Sequence, residues 1–226
     1  MHIEPGVVNG AKLLLSYGTA AGCLGFAAKV AYSTARKHGI APLALRTVLT
    51  TALVFFFFEV LPHYPVGVSE VHFILGSTLF LMFGAAPAAI GLALGLLAQG
   101  LLFAPFDLPQ YGMNVTTLLV PLLAISALAD RIIPKTVAYK DVKYSQALAL
   151  SAAFQGGVVV WVAFWAFYGH GFSMSTLSEV SMFGGAYMTV VLIEPIADLA
   201  VPAAAKGLHQ MKDSPLFTSR LYRAGV

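Results

Sequence analysis

Charge is scarce in this sequence: of 226 residues only 13 are Lys or Arg and 10 are Asp or Glu, 10% of the chain. A soluble domain carries about 25%, and a chain this poor in charge would expose apolar patches far larger than a soluble monomer tolerates. With 58% hydrophobic residues and a mean hydropathy of +0.81, a disordered tail and a collagen-like polymer are excluded as well. Cysteine is nearly absent. Cys23 alone makes no internal disulfide, no cysteine-based zinc site and no iron-sulfur cluster. No Gly-x-x-x-x-Gly-Lys-Ser/Thr loop occurs, so the chain is not its own P-loop ATPase. A His-Glu-x-x-His pair and a Ser/His constellation at span depth are missing too, which argues against an intramembrane hydrolase and for a protein that is not an enzyme.

What fills the sequence instead is apolar runs. A membrane-spanning helix needs about 20 mainly apolar residues, and stretches at roughly 11–33, 41–61, 71–85, 87–103, 115–130, 144–168 and 179–205 qualify or nearly qualify. The expected fold is therefore an all-α integral membrane protein of about seven transmembrane helices. The third and fourth stretches are short, joined by the tight Gly84-Ala85-Ala86-Pro87 link. Residues 1–205 form one membrane domain, with an N-terminal segment 1–10, and residues 206–226 a tail. Leu13 to Gly22 followed by Cys23 imitates a lipoprotein signal. The Ala at position 20, the acidic Glu4 and the apolar stretch continuing past the cysteine favour a retained first helix.

Lys and Arg accumulate in cytoplasmic loops. With the N-terminus outside, Arg36, Lys37, Arg131, Lys135, Lys140, Lys143, Lys206, Lys212, Arg220 and Arg223 all fall inside, and the C-terminus is cytoplasmic. Lys12, Lys29 and Arg46 lie within or at the ends of spans. The basic balance is thus topology, and it calls for membrane lipid and not nucleic acid as the surrounding partner. The outer side collects His2, His63, His72 and His170 with Glu4, Glu59, Glu70, Asp107 and Glu179, a mouth that attracts cations. His38 and His209 lie inside, as solvated residues.

Met1-His2 is the most unusual local feature. A terminal amine, the His2 amide nitrogen and His2 Nδ1 close adjacent five- and six-membered chelate rings. With a further imidazole, this set suits square-planar Ni(II), Cu(II) or Co(II). Taken alone, His2 reads equally as a polar residue at a frayed end, and His72 as an interfacial group opening a span.

The ordered blocks Met1-His2-Ile3-Glu4-Pro5-Gly6, Pro65-Val66-Gly67-Val68-Ser69-Glu70-Val71-His72 with Gly76, Gln99-Gly100-Leu101-Leu102-Phe103 and Gly112-Met113-Asn114 decide between those readings. Together they resemble the CbiM/NikM family, the substrate-binding components of cobalt and nickel energy-coupling-factor transporters. The recognisable blocks run from the first residue to about residue 122. The resemblance implies capture of Co2+ or Ni2+ as transported substrate in a prokaryotic plasma membrane. The metal would be held by the Met1 amine, the His2 amide nitrogen, the His2 imidazole and the imidazole of His72, on an N-terminal segment that dips inward from the outer face. It also implies a transmembrane coupling subunit and cytoplasmic ATPase subunits as partners. Glu70-Val71 stands where the family usually has a Ser-Gly pair, so Glu70 orients an imidazole, adds charge or serves as an extra ligand. Asn114 either hydrogen-bonds the inserted N-terminus or caps the next helix. His63 and His170 are either ligands along the metal's path or solvated loop residues.

A stand-alone secondary carrier or channel for a divalent cation is the competing reading, with Glu194 and Asp198, four apart on the last span around Pro195, lining the path. Arg46 is the expected counter-ion for either, in a structural ion pair. On the first span, Ala27, Ala31 and Ala35, and Ala21 with Gly25, recur at a spacing that permits close helix approach, to a partner subunit or within the chain.

Overall fold

The structure, a computed structural model, describes residues 2–207 and 214–224. Met1, His209 and Lys212 lie outside the described residues, as do the side chains of Asp198 and Lys206. Helix α1 covers Leu13–His38 and α2 covers Ile40–Glu59, followed by a two-stranded antiparallel hairpin of β1, Tyr64–Val66, and β2, Ser69–Val71. Then come α3, Gly76–Phe83; α4, Ala85–Leu102; α5, Tyr111–Ile132; α6, Tyr144–His170; α7, Met174–Tyr187; α8, Val190–Gly207; and the short α9, Ser219–Tyr222. The protein is all-α and membrane-embedded: six helical stretches among the described residues are long and apolar enough to cross a bilayer.

The expected seventh span, 71–85, is corrected. Its first residues are hairpin and extended chain, and only the eight residues of α3 are helical, too few to cross alone. Every residue from Gly76 to Leu81 is buried, as is Phe83, so neighbouring helices enclose this stretch and satisfy the lipid constraint that its own length cannot. The chain nevertheless passes from one end of the bundle to the other here. The hairpin stands beside His2, whereas the Met82 carbonyl accepts from Thr218 N–H in the C-terminal tail. The last span is interrupted at Met188-Thr189 between α7 and α8, and Pro195 lies inside the described helix α8.

Two links at the tail end share one design. Gly39-Ile40-Ala41-Pro42 and Gly84-Ala85-Ala86-Pro87 each end a helix on a glycine at φ near +90°, a conformation only glycine adopts without strain. Each then starts the next helix with proline in its first turn, where no intrahelical N–H is needed. Helices α2 and α4 can therefore run side by side, and a Cβ on Gly91 would run into Thr50. Thr50 Oγ1 donates across this contact to the Pro87 carbonyl, 2.8 Å.

Arg46 does not pair with Glu194, against expectation. Its Nε donates to the Pro215 carbonyl, 2.8 Å, at the tail end of α2. Glu194 is buried among neutral donors, accepting from Ser77 N–H at 3.0 Å, Ser151 Oγ at 2.6 Å and Gln155 Nε2 at 2.7 Å. Hydrogen bonds from these neutral groups to the carboxylate do the work that a counter-ion was expected to do. On α1, Ala27 is buried, Ala31 and Ala35 are partly so, and Ala21 and Gly25 are exposed. The two small-residue rows thus part, one into the bundle and one outward.

Candidate metal centre

Residues 2–10 form a peg set into the hairpin end of the bundle. Ile3 bridges Ser69 in antiparallel register, Glu4 N–H donates to the Val68 carbonyl at 3.2 Å, and Glu70 N–H donates to the His2 carbonyl at 3.0 Å. The N-terminal segment is in effect a third strand beside β2. Ser69 Oγ, fully buried, donates to the same His2 carbonyl at 3.0 Å. Apolar side chains drive the insertion: Ile3, Val7 and Val8 are buried against Met113 and Trp165. Where the segment turns away, Lys12 Nζ donates to the Tyr168 and Gly169 carbonyls, completing the last turn of α6 with a cation where the helix dipole favours one. A Cβ on Gly169 would collide with the Val7 carbonyl, so this glycine is what lets the peg seat.

His2 and His72 are 3% and 1% exposed, and their rings meet edge-on with centroids 5.0 Å apart. Phe58 walls both, at 5.4 Å from His2 and 4.9 Å from His72. Glu70 and His72 are two apart on an extended chain and so share a face. Glu70 Oε2 reaches 2.9 Å from His2 Nδ1 and 3.6 Å from His72 Nε2. One ligand atom from each of His2, Glu70 and His72 can be chosen so that all lie within 4.8 Å of one another, close enough for a single ion.

Burial lowers the His2 pKa from 6.5 to about 4 and takes His72 well below 6.5, so both imidazoles are neutral lone-pair donors at neutral pH. Burial by itself raises the Glu70 carboxyl. Interaction with His2, first of all its hydrogen bond, outweighs it, so the net displacement is downward and Glu70 is an anion. Two neutral imidazoles and a carboxylate against an apolar wall are donors of the kind that a borderline divalent transition metal takes.

Asn114 sits in the first turns of α5, behind the helix start at Tyr111, and its Oδ1 accepts from Ile3 N–H at 3.0 Å. It holds the inserted segment and does not cap the helix. His63 stacks on His72, centroids 4.7 Å apart and planes 8° from parallel, with its own ring exposed. His170 is exposed at the end of α6. Three neighbours of His2 were not foreseen as part of the site. Asp107 brings Oδ2 to 3.9 Å from His2 Nε2, Gln99 lines the same small cavity of about 10 Å3, and Phe58 belongs to an unremarkable Phe run. Gln99 stood in one of the recognised sequence blocks, and Asp107 among the outer acids. The signal existed for both, but nothing in the spacing joined either to His2. The wide groove of about 510 Å3 between α2 and α4, lined by residues such as Thr51, Phe55 and Leu94, offers no metal-ligating side chain.

Residues 2–209 match the family model described as the cobalt uptake substrate-specific transmembrane region, CbiM. No curated protein and no solved structure matches the chain.

Proposed function

Because this chain belongs to the CbiM family of cobalt-uptake transmembrane components, a multi-pass protein of the prokaryotic plasma membrane, we propose that it captures the divalent ion for an ATP-driven energy-coupling-factor importer. The ion is held by four nitrogens: the Met1 amine, the His2 amide, the His2 imidazole and the His72 imidazole. The observation that carries this reading is the burial of His2 at the second position of the chain, in contact with His72 from a distant hairpin. A frayed terminus would leave His2 in solvent. Co2+ is the cargo that the family indicates, and Ni2+ suits the same nitrogen set.

Residues 1–205 serve as one membrane domain and 206–226 as a cytoplasmic tail whose Leu221 and Tyr222 are buried against the bundle. Energy comes from a transmembrane coupling subunit and cytoplasmic ATPases, and the exposed Ala21 and Gly25 of α1 offer the coupling subunit a flat approach. The role is capture and delivery and not catalysis. Stand-alone carriage has less support, since Glu194, one of the two carboxylates it would use, is already engaged by hydrogen bonds from neutral groups.

The test is metal binding by the purified chain with its native N-terminus. Adding one residue before Met1, or changing His2 or His72 to Ala, should abolish tight Co(II) binding with the membrane fold intact. His63→Ala and His170→Ala should do much less. An N-terminally extended protein that binds Co(II) as tightly as the native one would disprove the four-nitrogen site.

A further inference from the structure

We propose that Glu70 is a fifth ligand, placing a carboxylate oxygen on the cargo ion and biasing this site toward Co(II) over Ni(II). The proposal rests on the four-nitrogen reading above and adds one atom to it.

The geometry leads there by exclusion. Glu70 Oε2 is 2.9 Å from His2 Nδ1, a hydrogen-bond distance to the nitrogen that closes the six-membered chelate ring. An imidazole nitrogen has one in-plane site. Once Nδ1 gives its lone pair to a metal it carries no proton, and the contact with Glu70 cannot persist as a hydrogen bond. The carboxylate stays within reach of the ion, because its backbone is anchored beside His2: Glu70 N–H donates to the His2 carbonyl, and Pro65 pairs with Glu70 across the hairpin. Its freed oxygen stays beside both imidazoles, 3.6 Å from His72 Nε2, within the span that one ion bridges. Glu70 also closes the water-facing side, its side chain 25% exposed against 4% and 1% for the histidines.

Charge points the same way. A divalent ion on three neutral nitrogens and one deprotonated amide leaves one net positive charge in a buried pocket, and an uncompensated buried charge is costly. The Glu70 carboxylate brings the first coordination sphere to neutrality. Asp107 is a poorer neutraliser, since it faces the opposite nitrogen of His2, Nε2, at 3.9 Å.

A fifth donor changes which metal gains. Four planar nitrogens favour Ni(II) and Cu(II), whose d-electron counts profit from a square-planar field. A carboxylate as fifth donor would remove that advantage from Ni(II), while Co(II) accepts five ligands readily. Glu70 thus turns a nitrogen set with a planar preference into one that keeps Co(II).

The experiment uses the full chain in lipid nanodiscs with its native N-terminus, comparing wild type with Glu70→Ala and Glu70→Gln. Co(II) and Ni(II) dissociation constants are read by competition with a chromophoric chelator, and the spin state of bound Ni(II) by its magnetic susceptibility. Wild type should bind Ni(II) in a paramagnetic, five-coordinate form. Glu70→Ala should convert it to a diamagnetic, square-planar one and shift the Co(II)/Ni(II) affinity ratio toward Ni(II) by about tenfold or more, the scale on which groups around a bound metal act. Glu70→Gln, which preserves size and hairpin, should shift the ratio in the same direction and guards against a folding defect in the Ala variant. Diamagnetic Ni(II) in wild type with an unchanged ratio in both variants overturns the role of Glu70 and leaves the four nitrogens standing. Unweakened binding in an N-terminally extended protein removes the four-nitrogen site itself, whatever Glu70 does.

Discussion

Burial holds the His2 imidazole at a pKa of about 4 when the N-terminal segment is seated, against 6.5 for a free histidine. Between those values the unseated segment binds more protons than the seated one. Seating is therefore fully favoured above pH 6.5 and loses stability as pH falls toward about 4. The displacement corresponds to about 3 kcal/mol. In metal-free protein, hydrogen-exchange protection of the Glu4 and Glu70 amides, both bonded across the N-terminal strand, should fall between pH 7 and 5, and His2→Phe should flatten that dependence. Constant protection in wild type would mean that His2 does not couple seating to protons. Asn114 permits a second measurement. Asn114→Leu strips the acceptor from a buried Ile3 N–H, a loss of about 1 to 3 kcal/mol, so Co(II) affinity should weaken by roughly 5- to 100-fold. Asn114→Asp, which retains an acceptor oxygen, should stay closer to wild type. The residues that the structure brings together here, His2, His72, Glu70 and Asn114, stand in recognisable blocks of the sequence. Asp107 and Phe58 were not legible there, because their neighbourhood with His2 is made by helix packing and has no counterpart in spacing along the chain.

Among the elements, α3 shows where apolar periodicity stops being informative. The run from Val71 to Ala85 is apolar enough for a span, yet its first part is extended so that β2 can carry Glu70 and His72 toward the N-terminal strand. Hydropathy records burial and cannot tell an extended buried segment from a helical one. Glu194 supplies the missing support. It accepts from Ser77 N–H in the first turn of α3, where a carboxylate meets the positive end of the helix, and its partner Gln155 also donates to the Ile74 carbonyl. The intramembrane acid thereby fixes the stretch directly after His72. Its placement was visible as an unusual carboxylate in an apolar run, but its partners on α3 and α6 were not. Glu194→Ala should destabilise the protein by about 1 to 3 kcal/mol and weaken Co(II) binding with it. Glu194→Gln should be milder, since its amide oxygen still accepts from Ser77. Thermal unfolding and chelator competition on both variants check this, and equal loss in the two would show that charge and not hydrogen bonding matters there.

Over the whole molecule, the links divide into two ends. The hairpin, the Pro105–Gln110 turn and the α6–α7 link gather around the N-terminal peg, while Gly39, Gly84, the 133–143 loop and the tail gather opposite, joined by contacts such as Arg220 Nη1 to Asp130 Oδ1 at 3.2 Å. Arg36, Lys37, Arg131, Lys135, Lys140, Lys143, Arg220 and Arg223 all lie toward the second end. Lys and Arg in short loops mark the cytoplasmic side, so reporters fused after Arg223 should be active only as cytoplasmic reporters. Under the proposed function the metal pocket then opens away from the ATPases, and coupling has to run along helices that span the distance. Helix α1 is the natural carrier. At its peg end Lys12 and Tyr17 bond the carbonyls that frame the peg, and its exposed small residues Ala21 and Gly25 lie further along toward the other end of the bundle. Gly25→Leu adds bulk to a surface that touches nothing among the described residues, since a Cβ there meets none of their atoms within 4 Å. Co(II) binding by the purified variant should therefore match wild type, whereas ATP-driven uptake in cells supplying the coupling subunit and ATPases should drop severalfold. Undiminished uptake would place the coupling subunit on another face, and uptake by the purified single chain under a proton or sodium gradient would remove the need for one.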